Sequence, residues 1–419
     1  MTIYKDRVEY FENVKQIAYR DGSVEINTLT AYVSGVRVNK NGCWYIVSTQ
    51  GGEVASDVLE RKVLSLVKDN ICGDFADAEL FNGSVEVGKE FPSEDDLINL
   101  VTDLCQEVKA SYSVKCEVLV GLHNTQRTIF RNGEEGAKEV KKYVDIEIGL
   151  VGSTTYGQNI FAALRNMFIA WSASSIVKSI DAMFRDAISR IGKVVKVKSL
   201  KPYEVGKSQI ILGSETTAAL IHEISHLLNP LYPQSAKLLG AKLFPDGFNL
   251  YDEPNTHETP SIRFFDDEGV ATRRRVLVED GIVRDLHHTR ATAKAFSSEP
   301  GSAHGLFTSP TPFHTVLVLG SGDWSDKEMV EETKKGFFID GVTIATLEEG
   351  YIRIVPQISF AIVNGELSES IRIREVKIPL QALKRISAIA KNQKMRVSEE
   401  KNWIVTEIAP QITLEGFVY

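Results

Sequence analysis

The stretch SQIILGSETTAALIHEISHLLNP, residues 208–230, marks the point where the chain changes character. IIL is a short apolar strand, Ser214 stands where a helix N-cap belongs, and Asn229-Pro230 stops the run that follows. Within the helix so defined, His222 and His226 are four residues apart and share a face. Two imidazoles so placed can hold one metal ion. Glu223, next along, then lies beside that ion rather than on it. Its carboxylate can take a proton from a water the metal activates, whose pKa falls toward about 7. The alternative is a core helix with two satisfied histidines and a surface glutamate.

A zinc site also needs a third protein ligand. Asn229 and Tyr232 occupy the positions that hold Gly and His in the extended metzincin motif, which excludes that type. Asp252, Glu253 and His257 lie at a common downstream spacing, but YDEPNTHETP reads as a loop rather than the second helix such enzymes use.

Upstream of this helix the sequence mixes strands and helices. AYVSGVRVNKNGCWYIVSTQ alternates on both sides of Asn41-Gly42, a hairpin signal. VLERKVLSLVKDNI and DLINLVTDLCQEVKASY have helical spacing, and Asn132-Gly133 marks a second hairpin. FNGSVEVGKEFPSEDD (81–96) reads as a boundary, and residues 159–192 as mostly helical. Downstream of residue 230 short strands dominate, with hairpin turns at Asp280-Gly281 and Asn364-Gly365. The expected class is α+β: an α/β N-terminal half, then a β-rich C-terminal domain carrying the His-Glu helix. The expected parts are residues 1–95, 96–195 and 196–419.

With 419 residues, 43% hydrophobic and 25% charged, the composition is that of an ordinary globular protein. A net charge of −8 argues against nucleic-acid binding. The most membrane-like stretch, 159–177, is broken by Arg165 and Asn166, so no membrane partner is expected. Cys43, Cys72, Cys105 and Cys116 form no CxxC pair, which suggests neither a zinc ribbon nor a disulfide framework. With no secretory h-region at the start, a reducing, cytoplasmic setting is expected.

The block FFDDEGVATRRRVLVEDGIVRDLHHTRATAKA (264–295) closely resembles the Asp-Asp-Glu-Gly segment and following hairpin of the TldD/PmbA family. In that family a HExxxH helix precedes the block, as His222 precedes Asp266 here. GSAHGLF, PTPFHTVLVLGSG, KKGFFIDGV and ISFAIVNGELSESIRIREV follow in the family's order. SGVRVNKNGCWYIVST and TIFRNGEEGAKEVKKYVDIEIGL resemble its weaker N-terminal elements. The resemblance implies a zinc-dependent peptidase acting on short or unfolded peptides, with His222 and His226 on Zn2+ and Glu223 as general base. It also implies a dimer, either a homodimer or a heterodimer with a PmbA-like subunit. The alternative is a non-catalytic PmbA-like partner or a peptide-binding scaffold with a vestigial metal site.

The chain departs from the family pattern twice. Its histidine motif is one residue shorter, a spacing that still aligns both rings on a helix. Where the family carries a cysteine ligand, MRVSEEKNWIVTEIAPQITLEG has neither cysteine nor histidine. Glu399 is the expected third ligand, with Glu400 as its alternative. His304, in GSAHG, is expected to bind substrate, a surface loop histidine being the other reading. Asp266, Asp267 and Glu268 are expected to fix a turn rather than hold a second metal.

Overall fold

The computed structural model describes residues 3–51, 54–153, 159–194 and 197–419. The protein is α+β and built on two large sheets. The first has seven strands: β1 (Ile3–Arg20), β2 (Ser23–Lys40), β3 (Cys43–Gln50), β4 (Gly83–Val87), β5 (Val114–Arg131), β6 (Glu134–Ser153) and β7 (Asn159–Ile169). Their order is β3-β2-β1-β5-β6-β4, with β7 also beside β6. The Asn-Gly turns lie where the sequence puts them, with Asn41 and Asn132 in the left-handed region that short polar side chains tolerate.

Helices α1 (Ser56–Leu66), α2 (Glu94–Ser111) and α3 (Ala173–Val194) accompany this sheet. Ser93 caps α2 by accepting the Asp96 N–H. Leu97, Val101, Leu104 and Val108 then recur along one face and pack with Ile176, Ile180 and Phe184 of α3 over Val118, Val120, Ile146 and Ile148.

Three expectations change here. β1 pairs with β5, and β4 with β6, so residues 1–95 and 96–195 share one sheet and the stretch 81–96 contributes a strand to it. Residues 159–169 are a strand rather than the start of a helix. A short apolar run fits either periodicity, and the edge of β6 supplies the backbone partners. The cysteines pair as Cys43–Cys72 and Cys105–Cys116, with Cα separations of 5.0 and 5.7 Å. Folding, not sequence spacing, brings them together, and the pairing removes the cysteine argument for a reducing compartment. Among the described residues no helix is long and apolar enough to cross a membrane.

The second sheet has twelve strands. The members that frame the site are β8 (Gly206–Leu212), β9 (Val316–Leu319), β10 (Lys335–Glu348), β11 (Tyr351–Val363), β12 (Ala388–Glu400) and β13 (Trp403–Val418). β13 pairs β8, β8 pairs β10, and β10 pairs β11. The short strand Val376–Pro379 joins β11 back to β13 and closes the ring. Helix α4 (Ser214–Leu227) packs against this curled sheet and is buried from Thr216 to Ser225. A helix apolar on nearly all sides belongs in a core; Leu220, Ile221 and Ile224 join Leu212, Phe337, Ile354 and Ile412 there. Gly213, not Ser214, occupies its N-cap position.

The two halves are joined at Asp267. Its carboxylate accepts from Arg127 of β5 at 2.5 Å and from Arg263 at 2.5 Å, and its backbone carbonyl accepts from Arg37 of β2 at 2.6 Å. Asp266 accepts the N–H groups of Glu268, Val270 and Ala303, the turn-fixing arrangement expected of this segment.

Candidate metal centre

The helical turn fixes the first part of the site. His222 and His226 lie one above the other on α4, ring centroids 5.4 Å apart. One ligand atom from each of His222, Glu223 and His226 lies within 4.8 Å of the others. His222 and Glu223 are each only 7% exposed, so the site opens on the side of His226.

Strand β12 completes it. Alternation along the strand turns Arg396, Ser398 and Glu400 to the α4 side and Glu399 away from it. Glu400 Oε2 lies 3.7 Å from His222 Nε2 and 3.9 Å from His226 Nε2. A tetrahedral zinc with bonds near 2.0–2.1 Å has ligand edges of about 3.4 Å. The two edges to Glu400 thus stand a few tenths of an ångström longer than that ion's, and a donor set of two imidazoles and one carboxylate suits zinc. Glu399 instead takes both guanidinium nitrogens of Arg165 at 3.0 and 3.1 Å, on the far face of β12. The third-ligand expectation therefore moves from Glu399 to Glu400.

Behind His222 stands a residue that sequence reasoning missed. Glu407 of β13, wholly buried, lies with Oε1 2.7 Å from His222 Nδ1. Its carboxylate also accepts from Arg396 at 2.9 Å and Ser398 at 2.9 Å, and faces His314 Nε2 at 3.2 Å. A carboxylate on Nδ1 fixes the ring and leaves Nε2 for a metal. His222, His314 and Glu407 also form a close triplet, but the Arg396 guanidinium on Glu407 opposes a cation there. The sequence held one signal for Glu407: a lone carboxylate in the apolar strand WIVTEIAP, which burial obliges to find partners.

The electrostatics follow from burial and neighbours. Burial works against a charged His222, but the carboxylates of Glu407 and Glu400 outweigh it and raise its pKa to about 9. Burial and the adjacent His222 hold His226 below its ordinary value. The facing imidazole of His222 lowers Glu400. Burial raises Glu223, although Leu347 of β10 donates its N–H to Glu223 Oε2 at 2.7 Å. A cation-attracting cluster thus stands beside a carboxylate of increased basicity.

Other expected residues lie elsewhere. His304 is 1% exposed, with Nδ1 2.9 Å from Arg263 and its ring 4.8 Å from Trp403. It is therefore buried and not the surface loop histidine of the other reading. Asp252 accepts the N–H groups of Thr315 and Val316, and Glu253 holds Arg274 and His257. None of these three downstream residues turns to the histidine pair.

Residues 205–418 match the family described as the PmbA/TldA metallopeptidase C-terminal domain. The chain is similar to a metalloprotease of Methanocaldococcus jannaschii, 23% identical over 88% of this chain and 85% of that protein. A zinc metalloprotease TldD homolog of Saccharolobus solfataricus is 25% identical over 40% of each. Among solved structures, TldE from Thermococcus kodakarensis has the same fold, with a TM-score of 0.79 at 15% identity, covering 99% of this chain and 96% of that one.

Proposed function

The chain belongs to the PmbA/TldD family of metallopeptidases, and from that premise we infer that it is a zinc-dependent peptidase with Glu223 as its general base. His222, His226 and Glu400 would hold the ion. The observation that carries this reading is the facing of Glu400 Oε2 toward both imidazoles, while the Leu347 N–H holds Glu223 beside them. When bound, zinc polarises the scissile carbonyl and acidifies the attacking water. Glu223 takes up the proton that water releases and returns it to the departing amine. Its raised pKa suits both transfers, because a group poised nearer neutrality accepts and gives protons with equal facility.

Short or unfolded peptides are the proposed substrates. A cleft of about 1280 Å³ runs between the two sheets, along the outer side of β12, and Arg165, Val397 and Glu399 line it. The histidines lie outside its lining, so it borders the metal centre rather than containing it. Its walls come from both halves of the molecule, a form that admits extended chain more readily than a folded domain.

Glu223→Gln is the direct test. It should retain zinc at wild-type stoichiometry and lose peptide hydrolysis by roughly 100-fold or more. Hydrolysis unchanged in that variant, with contaminating proteases excluded, would sink the general-base assignment.

A further inference from the structure

Glu407 is one end of a longer buried chain. Beyond it, His314 Nδ1 lies 2.7 Å from Ser225 Oγ, and Ser225 Oγ lies 3.0 Å from His287 Nε2. Ser225, His287, His314 and Glu407 all have 0% exposure. They come from four separate places: α4 itself, the segment after the 273–285 hairpin, the entry to β9, and β13.

The proton positions follow from the chemistry of the groups. An ionised carboxylate only accepts, so both His222 Nδ1 and His314 Nε2 donate to Glu407. A neutral imidazole has one donor and one acceptor, so His314 Nδ1 must accept, and the Ser225 hydroxyl gives it its one proton. The Ser225 oxygen then accepts from His287 Nε2–H. Every link has a single direction, and the far end is His287 Nδ1, which has no hydrogen-bond partner. Both of these imidazoles, His287 and His314, are wholly buried, an environment that disfavours their charged form.

We propose that Glu407, His314, Ser225 and His287 form a directional relay of positioning residues that locks the ring of His222 with Nε2 presented to the metal. The proposal rests on the metal reading above and extends it to side chains one to four hydrogen bonds behind His222. Ser225 lies three residues after His222 and one before His226, on the flank of the metal face of α4, so one helical turn supplies both the metal ligands and part of the brace beside them. Sequence alone gives that serine no role.

Zinc affinity, measured against a chelator in the full chain, tests this. Thr217→Val is the control, because Thr217 is equally buried on α4 and its hydroxyl donates to Leu212 outside the relay. Glu407→Gln should weaken zinc binding about 10- to 100-fold, as loss of an outer-shell carboxylate does. Ser225→Ala should weaken it less, yet beyond anything seen in Thr217→Val. The nitrogen shifts of His222 in the zinc-loaded protein should move in Glu407→Gln and Ser225→Ala and stay fixed in the control. If Glu407→Gln does not fold, Ser225→Ala against Thr217→Val decides. Unchanged affinity and shifts in the relay variants, with zinc still lost in His222→Ala, overturn the relay and leave the metal centre standing. If the unaltered chain takes up no zinc that His222→Ala removes, relay and metal centre fall together.

Discussion

Asp267 and Glu407 are both buried carboxylates in the C-terminal half, and each gathers nitrogen donors from distant segments. Around Asp267 the partners are guanidiniums: Arg127 and Arg263 on the carboxylate, Arg37 on the carbonyl. Their charge is permanent and their geometry is a fork. Around Glu407 the partners are one guanidinium and two imidazoles, and His222 turns its second nitrogen outward toward Glu400. The first arrangement is closed and welds two sheets. The second is open on one side, which is what a site needs and a weld does not.

Breaking the weld should give the larger effect. Asp267→Asn leaves Arg127 and Arg263 buried without their shared counter-ion, and removing one partner of a buried pair costs about 3–5 kcal/mol. Chemical denaturation should register that loss, while the fraction of protein that remains folded should keep its zinc affinity. Zinc affinity falling in step with stability would erase the distinction between the two clusters.

Next in size is the contrast within β12. Glu400→Ala should weaken zinc retention by about 100-fold or more, since it removes a proposed ligand and loss of an outer-shell partner alone costs about 10- to 100-fold. Glu399→Ala should leave retention unchanged, since its carboxylate is occupied by Arg165. Equal retention by both variants would return the third ligand to an open question.

That contrast also shows where the sequence runs out. The hairpins at Asn41-Gly42, Asn132-Gly133, Asp280-Gly281 and Asn364-Gly365 were legible because their turns depend on local backbone chemistry. The His222–His226 face was legible because helical spacing is local too. Choosing Glu400 over Glu399 required the parity of a strand, and parity is set by register with β13, not by the residues themselves. Glu407, His314 and His287 converge from segments far apart in sequence, so spacing carried no trace of their meeting. The strand at 159–169 was misread for the same reason: its partner β6 decides its form.

The smallest expected effect concerns protonation, and it sets the two clusters apart once more. At the metal centre Glu400 and Glu407 are both held below their ordinary pKa, because imidazoles and a guanidinium face them. In the weld, Glu268 runs the other way: burial and the neighbouring Asp266 raise it to about 8. The folded protein therefore binds this proton more tightly than the unfolded chain, whose glutamates titrate near about 4.3. The stability it contributes is complete below that value and is lost as pH rises through about 8, with a slope on the order of 1 kcal/mol per pH unit. Glu268→Gln keeps an oxygen to accept the Arg290 N–H and has nothing to ionise. Denaturation midpoints between pH 5 and 8, by roughly those limits, should decline in the unaltered chain and decline less in the variant. Parallel curves would mean that Glu268 is already ionised inside the weld, compensated by Arg290 or Arg37, and that the two clusters handle buried carboxylates alike.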